Sequence, residues 1–170
     1  MTQESQDPLA SSLSHVTEGV DGPRARMVDV SHKHETHREA TARAIVEFPE
    51  GLLEGILREG GPKGPVLEVA RIAGVGAAKQ TGLLIPLCHP LGLDGVDVEI
   101  QQLDENRLEV LCTAICSGRT GVEMEAMTGA SVAALTLYDM TKALSKGITI
   151  QRVELLAKSG GKSGPWKREG

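Results

Sequence analysis

The stretch from Thr120 to Gly147 constrains the fold most, because it follows a single pattern from end to end. It holds no proline and is rich in Ala, Leu and Met residues, which favour an α-helix. Thr120 and Glu123 have the spacing of a capping box at a helix start, and Gly147 stands where a left-handed C-cap favours glycine. The sequence therefore predicts one helix from Thr120 to Gly147, long enough to cross a small domain.

The middle of this segment, residues 126–137, carries no charged side chain, which predicts burial on nearly all sides. Near its end, Asp139 and Lys142 have i,i+3 spacing, so they are neighbours on one stripe of the helix. Such a pair can be a surface ion pair that contributes a few tenths of a kcal/mol. It can also be a carboxylate and an amine held together for proton transfer. The spacing alone leaves both interpretations open.

Size and charge narrow the class of protein. The chain has 170 residues, which suits one domain with a sizeable core, and it has only one Phe, one Tyr and one Trp. Binding of single-stranded nucleic acid relies on several stacking aromatics, and a general nucleic-acid binder needs a basic face. A net charge of −5 therefore argues against a nucleic-acid partner, although it allows a local cationic pocket for a phosphorylated small molecule.

Cysteine usage and hydropathy bear on the compartment. No apolar run approaches the length of about 20 residues that a membrane span needs, and no signal peptide is evident, so no membrane partner is predicted. Three cysteines, an odd number, favour the reducing cytoplasm. Cys112 and Cys116 lie in an alternating run and are expected to be small buried side chains. His32, His34 and His37 lack a further ligand at a standard zinc spacing, so no metal site is predicted.

The remaining elements follow from alternation and turn residues. The alternating run that ends at Phe48 is predicted as a strand rather than as a helix capped by Thr36 and Glu39. The order strand, helix, helix, strand, strand, helix, strand predicts an α+β fold, an antiparallel sheet with helices packed on one face. The other predicted elements are helices over 50–60 and 65–80, a β-hairpin of 94–102 and 107–117, and a last strand after Gly147.

The chain is expected to contain one folded unit with two tails. Residues 1–26 are polar and hold no aromatic side chain, which is typical of a disordered N-terminal tail. Residues 27–158 form the single α+β domain in this interpretation. Residues 159–170 are rich in glycine and basic side chains and are expected to be a flexible C-terminal segment.

Three loops carry side chains that have two interpretations each. Lys63, within a Gly- and Pro-rich loop, is either solvated or a phosphate contact. His89 lies between Cys88 and Pro90, and it is either a satisfied core residue or a titrating group aimed into a cleft. The closing segment with Lys158 and Lys162 is either a frayed basic tail or a loop that wraps phosphates with backbone amides.

Five motifs in colinear order resemble the MoaC family, the cyclic pyranopterin monophosphate synthases of molybdenum cofactor biosynthesis. Together they span residues 27–164, and five separate motifs in one chain are far more specific than any single one. They are M-V-D-V-S at 27–31, L-I-P-L-C-H-P-L at 84–91, G-V-E-M-E-A at 121–126, Y-D-M-x-K-A at 138–143 and L-A-K-S-G-G-K-S-G at 156–164.

The resemblance implies a ferredoxin-like fold and a homohexamer, a trimer of dimers with active sites at the dimer interface. It implies that the domain is catalytic: a phosphorus-oxygen lyase that converts 3′,8-cyclo-7,8-dihydro-GTP into cyclic pyranopterin monophosphate and pyrophosphate. No tightly bound cofactor is implied. Because the residues offer no dedicated carboxylate cage, any Mg²⁺ is expected to arrive with the substrate triphosphate.

The resemblance also assigns site residues by position. The family's catalytic aspartate falls on Asp139, its partner lysine on Lys142, and a second functional lysine on Lys63, so that Asp139 and Lys142 are the expected general acid and base. The implied substrate contacts are Leu87, Cys88, His89, Met124, Glu125 and, in the closing motif, Lys158. No role carries over to His32, His34 and His37.

Two alternatives from other classes remain open at this point. A non-catalytic nucleotide-binding module of the same fold would bind the triphosphate and release no pyrophosphate. A purely structural oligomer, which the uncharged helix also fits, would bind no nucleotide. The presence of Asp139 and Lys142 on one stripe favours the enzyme.

Overall fold

The computed structural model describes residues 16–19 and 22–169, and its main body is a five-stranded antiparallel sheet. The strands are β1 (Val16–Gly19), β2 (Gly22–Ala25), β3 (Thr36–Glu47), β4 (Gly95–Gln102), β5 (Arg107–Gly118), β6 (Thr149–Ser159) and β7 (Trp166–Lys167). The helices are α1 (Leu52–Glu59), α2 (Val66–Lys79), α3 (Thr81–Leu84) and α4 (Glu123–Thr141).

The sheet has the strand order β4-β5-β3-β6-β7. Without the short β7, the sequence β3-α2-β4-β5-α4-β6 is the βαββαβ arrangement of ferredoxin-like folds. Helix α4 packs across β3, β5 and β6, and α2 lies beside α4 and over β4, so both cover the same face of the sheet. The predicted α+β, ferredoxin-like fold with helices on one face is confirmed.

The core is built from small side chains on the strands that lie beneath α4. Ala40 pairs with Ala114 and Ala42 with Cys112 across β3 and β5, and all four side chains are buried. Cys116 is buried on the same face as Cys112, as the alternation predicts. Burial also raises the pKa of the Cys112 thiol to about 12, so this cysteine stays neutral. These small residues let the helix approach the sheet closely.

Glycine brings α2, α4 and the sheet together at one point in the middle of α4. A Cβ placed on Gly129 would lie 2.5 Å from the Cys112 sulfur and 3.2 Å from the carbonyl oxygen of Gly74 on α2. The helices therefore meet nearly backbone to backbone at this point, which only glycine allows.

The long helix begins and ends inside the predicted bounds, so the predicted caps at both ends are wrong. It begins at Glu123 with Val122 as N-cap and no side-chain cap, because the Glu123 carboxylate lies 3.3 Å from the Lys158 ammonium instead of closing a box with Thr120. It ends at Thr141, and Gly147 has no positive φ. The uncharged middle is mostly buried, although Leu135 is 57% exposed.

Both segments predicted as tails contain short strands in the described residues. β1 and β2, inside residues 1–26, form an antiparallel ribbon of their own. β7, inside residues 159–170, pairs with β6, and the Arg168 side chain donates a hydrogen bond to the Leu155 carbonyl at 2.8 Å. These backbone pairings were hidden because neither segment alternates over enough residues to indicate a strand. Residues 1–15 and 20–21 of the predicted tail lie outside the described residues.

The face of the sheet that the helices leave uncovered carries a polar network. Arg43 on β3 donates to Glu154 on β6 at 2.9 Å and lies 3.4 Å from Glu109 on β5, and Thr41 bonds Thr113 at 2.9 Å. These cross-strand pairs link three neighbouring strands. None of the helices in the described residues is long and apolar enough to cross a membrane.

Candidate active site

A cluster of three charged side chains forms where α4 ends. The Asp139 carboxylate accepts hydrogen bonds from both flanking lysines: Lys63 Nζ donates to Oδ2 at 2.7 Å, and Lys142 Nζ lies 2.8 Å from Oδ1. All three side chains are about half exposed. The structure thus brings the three predicted catalytic residues together, and it joins Asp139 and Lys142 as the helical spacing indicates.

The Gly- and Pro-rich loop before α2 carries Lys63 to this cluster. Gly61 and Gly64 exchange backbone hydrogen bonds of 3.3 and 3.0 Å, which hold Lys63 at the tip of a tight turn. A Cβ on Gly61 would lie 2.2 Å from a Val66 methyl group and 3.6 Å from the Met140 carbonyl oxygen. The loop therefore packs against the end of α4, and that contact places the ammonium group over Asp139.

The lysines set the protonation of this cluster. Hydrogen bonds from Lys142 and then Lys63 lower the pKa of Asp139 to about 2, and the same bond to Asp139 raises the pKa of Lys142. At neutral pH the aspartate is a carboxylate and Lys142 is an ammonium ion. Lys142 can therefore donate a proton or stabilise a negative charge, but in this arrangement it is not a base.

A second group of predicted residues meets at the opposite end of α4. Here a cavity of about 240 Å³ lies between the start of α4, the loop after α3 and the segment before β3. The cavity is lined by every substrate contact implied for the loop after α3 and for the start of α4: Leu87, Cys88, His89, Met124 and Glu125.

His89 is fixed in this cavity by a backbone partner. Its Nε2 lies 2.7 Å from the carbonyl oxygen of Val28, which also lines the cavity. Because a carbonyl oxygen only accepts, Nε2 carries the hydrogen, and in the neutral ring Nδ1 is left as an acceptor. The half-buried ring is thus anchored by the backbone and forms part of the cavity wall.

Burial disfavours the charged forms of two ionisable groups in this cavity, Glu125 and Cys88. The Glu125 side chain belongs to a residue only 3% exposed, and desolvation raises its pKa, with the nearby Glu123 adding to the effect. Desolvation, followed by the charge of Glu125, also raises the pKa of Cys88. A buried carboxyl group with a raised pKa in a cavity is typical of a general acid, and Cys88 stays a thiol.

A larger basic cavity of about 830 Å³ adjoins the first and shares Lys33, Thr120, Gly121 and Glu123 with it. Lys158, the last predicted substrate contact, lies on its wall, and so does Lys162 of the closing motif. The cationic side chains that line it are Lys33, Arg38, Arg119, Lys158 and Lys162.

The glycine-rich closing motif forms one wall of the basic cavity by wrapping around β3. Gly160 has φ +84°, and a Cβ there would lie 2.0 Å from the His37 carbonyl oxygen, so any other residue would clash. The next residue, Gly161, lies close against the Arg38 guanidinium, whose Nε donates to the Gly118 carbonyl at 3.2 Å. The closing segment therefore lies along the cavity as one of its walls.

Sequence reasoning missed three of these cations, Lys33, Arg38 and Arg119. Each stands alone in its segment, so no local spacing marks it, and only the fold gathers them. A signal was available for Lys33, which lies two residues after the M-V-D-V-S motif. Arg119 lies 3.6 Å from Glu35 in the described structure, an exposed ion pair that an anionic ligand can displace.

The two clusters do not meet within one chain. Glu125 and Asp139 both lie on α4, fourteen residues apart, which corresponds to about 21 Å along a helix axis. The structure thus separates Lys63, Asp139 and Lys142 from the cavity residues. Among the described residues no group of three or more His, Cys, Asp or Glu side chains is placed to hold a metal ion.

Comparison with known proteins identifies the family of the chain. The MoaC family model matches residues 27–161. A cyclic pyranopterin monophosphate synthase of Novosphingobium aromaticivorans is 52% identical over 157 residues, 92% of this chain and 98% of the relative. One from Thermomicrobium roseum is 50% identical over 161 residues, with 94% and 95% covered. Cyclic pyranopterin monophosphate synthase 1 of Mycobacterium bovis is 50% identical over 159 residues, with 94% and 92% covered. The chain belongs to the MoaC family.

Proposed function

We propose that this protein is a cyclic pyranopterin monophosphate synthase, a lyase acting in molybdenum cofactor biosynthesis. Its substrate is 3′,8-cyclo-7,8-dihydro-GTP, and its products are cyclic pyranopterin monophosphate and pyrophosphate. The observation that carries the proposal is the Lys63–Asp139–Lys142 cluster, with nitrogen–oxygen distances of 2.7 and 2.8 Å, in a chain about half identical to enzymes of this name.

The chemistry requires cations and proton carriers. To form the cyclic phosphate, the 2′-oxygen attacks the α-phosphorus, the bond to the β-phosphate oxygen breaks, and pyrophosphate leaves with that electron pair. Positive charge near the leaving group stabilises this step. The basic cavity, lined by Lys158 and Lys162 among other cations, supplies such charge in a protein that is acidic as a whole, and we assign the triphosphate to it.

Rebuilding the purine as a pterin requires several proton transfers, and the two clusters offer complementary groups for them. Asp139 is ionised and Lys142 protonated, so together they form a donor next to a weak base. Glu125 is buried with a raised pKa and is the group most suited to deliver a proton inside the cavity. In this scheme the purine ring of the substrate lies against walls formed by Leu87, Cys88 and Met124. His89 adds a fixed hydrogen-bonding group.

The site is completed by a second copy of the chain in our proposal. The separation of about 21 Å along α4 keeps the catalytic cluster of one chain away from its own cavity. Exposed apolar side chains on the helical side, Ile72, Leu83 and Leu135, are 64%, 86% and 57% exposed and give a second copy a surface to cover. We propose a homohexamer in which dimer interfaces form the active sites, located in the cytoplasm.

A direct assay tests the proposal. The purified protein is incubated with 3′,8-cyclo-7,8-dihydro-GTP and Mg²⁺, which we expect to accompany the triphosphate and not to reside in the protein. Release of pyrophosphate together with a pterin product is the expected result. Binding of the substrate without pyrophosphate release would instead indicate a nucleotide-binding module, and an oligomer that binds no nucleotide would indicate a structural role.

A further inference from the structure

We infer that His32 and His34 extend the basic cavity as binding residues whose protonation strengthens the binding of polyphosphate. Both imidazoles line the cavity of about 830 Å³, on either side of Lys33. The inference rests on the proposed function in one respect, namely that phosphate groups occupy this cavity. It adds a dependence of affinity on pH and names the residues that cause it.

The turn that carries His32 is held by local hydrogen bonds. The Lys33 N–H donates to the Val30 carbonyl at 3.0 Å, and the Ser31 N–H donates to the Asp29 carboxylate at 2.8 Å. The backbone therefore presents this side chain at the mouth of the cavity without help from a ligand. His37, only three residues after His34, is exposed but does not line the cavity.

The charges that surround the two histidines determine the sign of the effect. Two of the cavity's cations already have carboxylate partners, since Lys158 lies 3.3 Å from Glu123 and Arg119 lies 3.6 Å from Glu35. An entering phosphate must compete with these carboxylates, so added positive charge matters. The titratable and charged groups that face the histidines are Asp29, Lys33, Glu35, Arg38, Arg119, Glu123, Lys158 and Lys162.

Protonation changes what the histidines offer to an anion. A neutral imidazole has one N–H donor and one acceptor, whereas the protonated ring has two donors and a positive charge. Hydrogen bonds between charged groups and phosphate oxygens are the stronger kind. Histidine is the side chain whose charge commonly changes between about pH 5 and pH 8. Affinity for polyphosphate should therefore fall as pH rises through this range.

Calorimetric titration with inorganic tripolyphosphate, without divalent cations, tests the inference. The whole protein and its His32→Gln/His34→Gln double variant are compared at about pH 6 and about pH 8. Because both proteins meet the same probe at each pH, the titration of the probe itself cancels in the ratio. The double variant should bind about threefold to tenfold more weakly than the natural protein at the lower pH, and the two should bind almost equally at the higher pH.

Two further variants make the test specific. His37→Gln removes a histidine of the same segment that lies outside the cavity, and it should bind like the natural protein at both pH values. His32→Lys/His34→Lys keeps positive charge at both pH values, so its affinity at the higher pH should exceed that of the natural protein. Melting temperatures of all variants confirm that each is folded.

The outcomes separate this inference from the function on which it rests. Equal affinities of the natural protein and the His→Gln double variant at the lower pH would overturn the histidine role, while tight binding of the probe would leave the polyphosphate cavity in place. An equal loss in His37→Gln would also overturn it. If the natural protein binds no tripolyphosphate at either pH, both the cavity assignment and the histidine role are wrong.

Discussion

The two ends of α4 carry carboxyl groups in opposite electrostatic environments. At the start of the helix, Glu125 is buried, and desolvation raises its pKa. At the end of the helix, Asp139 is exposed, and hydrogen bonds from Lys142 and Lys63 lower its pKa to about 2. One helix thus presents a carboxyl group whose pKa is raised and another whose pKa is lowered.

The difference shows how one element can serve two tasks. Burial without a cationic partner raises the pKa of a carboxyl group and suits it to donate a proton. Two ammonium partners at the surface instead lower the pKa of a carboxyl group, which gives an anion flanked by two charged donors. The helix also keeps the two groups apart, so neither disturbs the proton affinity of the other. In the proposed function the two groups act on one substrate only when two chains combine, and this proposal makes the comparison testable.

The largest expected effect is that of Asp139→Asn on turnover. The change keeps the shape of the side chain but removes its charge and its proton affinity. We expect the rate of pyrophosphate release to fall by about 10²–10⁴-fold or more, with only a small drop in melting temperature because solvent screens the ion pairs of this exposed carboxylate. Asp97→Asn, on an exposed position of the edge strand β4, is the matched control and should keep full activity. Near-normal turnover in Asp139→Asn would remove this residue from the mechanism.

Assemblies that contain one variant at each end of α4, on different chains, should recover part of the activity. Glu125→Gln and Asp139→Asn should each be nearly inactive alone, since each removes one half of every site. In assemblies co-expressed from both variants, random pairing in a twofold dimer leaves about a quarter of the sites with both natural halves. Assays of doubly tagged assemblies should therefore show about a quarter of the natural activity. Activity no higher than that of the single variants would contradict the shared site.

A smaller effect, on stability, is expected at Gly129, which lies between the two ends of α4 and contacts α2 and the sheet. Gly129→Ala places a methyl group 2.5 Å from the Cys112 sulfur, which should lower the free energy of unfolding by about 1–3 kcal/mol. The matched control is Gly76→Ala on α2, where a methyl group meets no atom within 4 Å, and which should raise it by about 0.5–1 kcal/mol. Urea denaturation measures both. Similar values for the two variants would show that α4 does not pack as closely as described.

The smallest effect is a pH dependence of opposite sign at the two ends. Because the folded-state pKa of Glu125 is raised, its contribution to stability is complete below the ordinary value of 4.5 and is lost as pH rises through the raised value. The contribution of Asp139 is present above 3.8 and lost as pH falls towards about 2. As pH rises from about 4.5, the melting temperature of Glu125→Gln should therefore rise relative to that of the natural protein.

Glu50→Gln, at an exposed position before α1, controls for the loss of a carboxyl group in general. Its melting temperature should follow that of the natural protein across the same pH range. A Glu125→Gln curve parallel to both would mean that the carboxyl group at the start of α4 is not desolvated.

Local periodicity predicted the elements well, because it reports contacts between residues that are near in sequence. The alternation that ends at Phe48 identified β3, and the turn at residues 104–106 identified the β4–β5 hairpin. The helix caps failed for a physical reason: Glu123 is engaged by Lys158, from a distant strand, which no local spacing reports. The same limit hid Arg38 and Arg119 in the basic cavity.

The candidate site was predicted as a set of residues but not as an arrangement. Spacing correctly made Asp139 and Lys142 neighbours, and the resemblance to a family added Lys63. That Glu125 shares their stripe of the helix gave no sign that it faces a cavity about 21 Å away from their exposed cluster. A sequence shows how far apart two residues lie along a helix. Which other segments pack against each turn of that helix depends on the whole fold.

Because α4 is a rigid connection between the two carboxyl groups, its length fixes their relative position and is expected to be kept during evolution. One residue inserted between Glu125 and Asp139 would rotate the following side chains by about 100° and shift them by about 1.5 Å. The Gly74–Gly129 contact leaves no slack to absorb that rotation. We therefore expect related proteins to differ in this segment by substitutions and to keep the number of residues between Glu125 and Asp139.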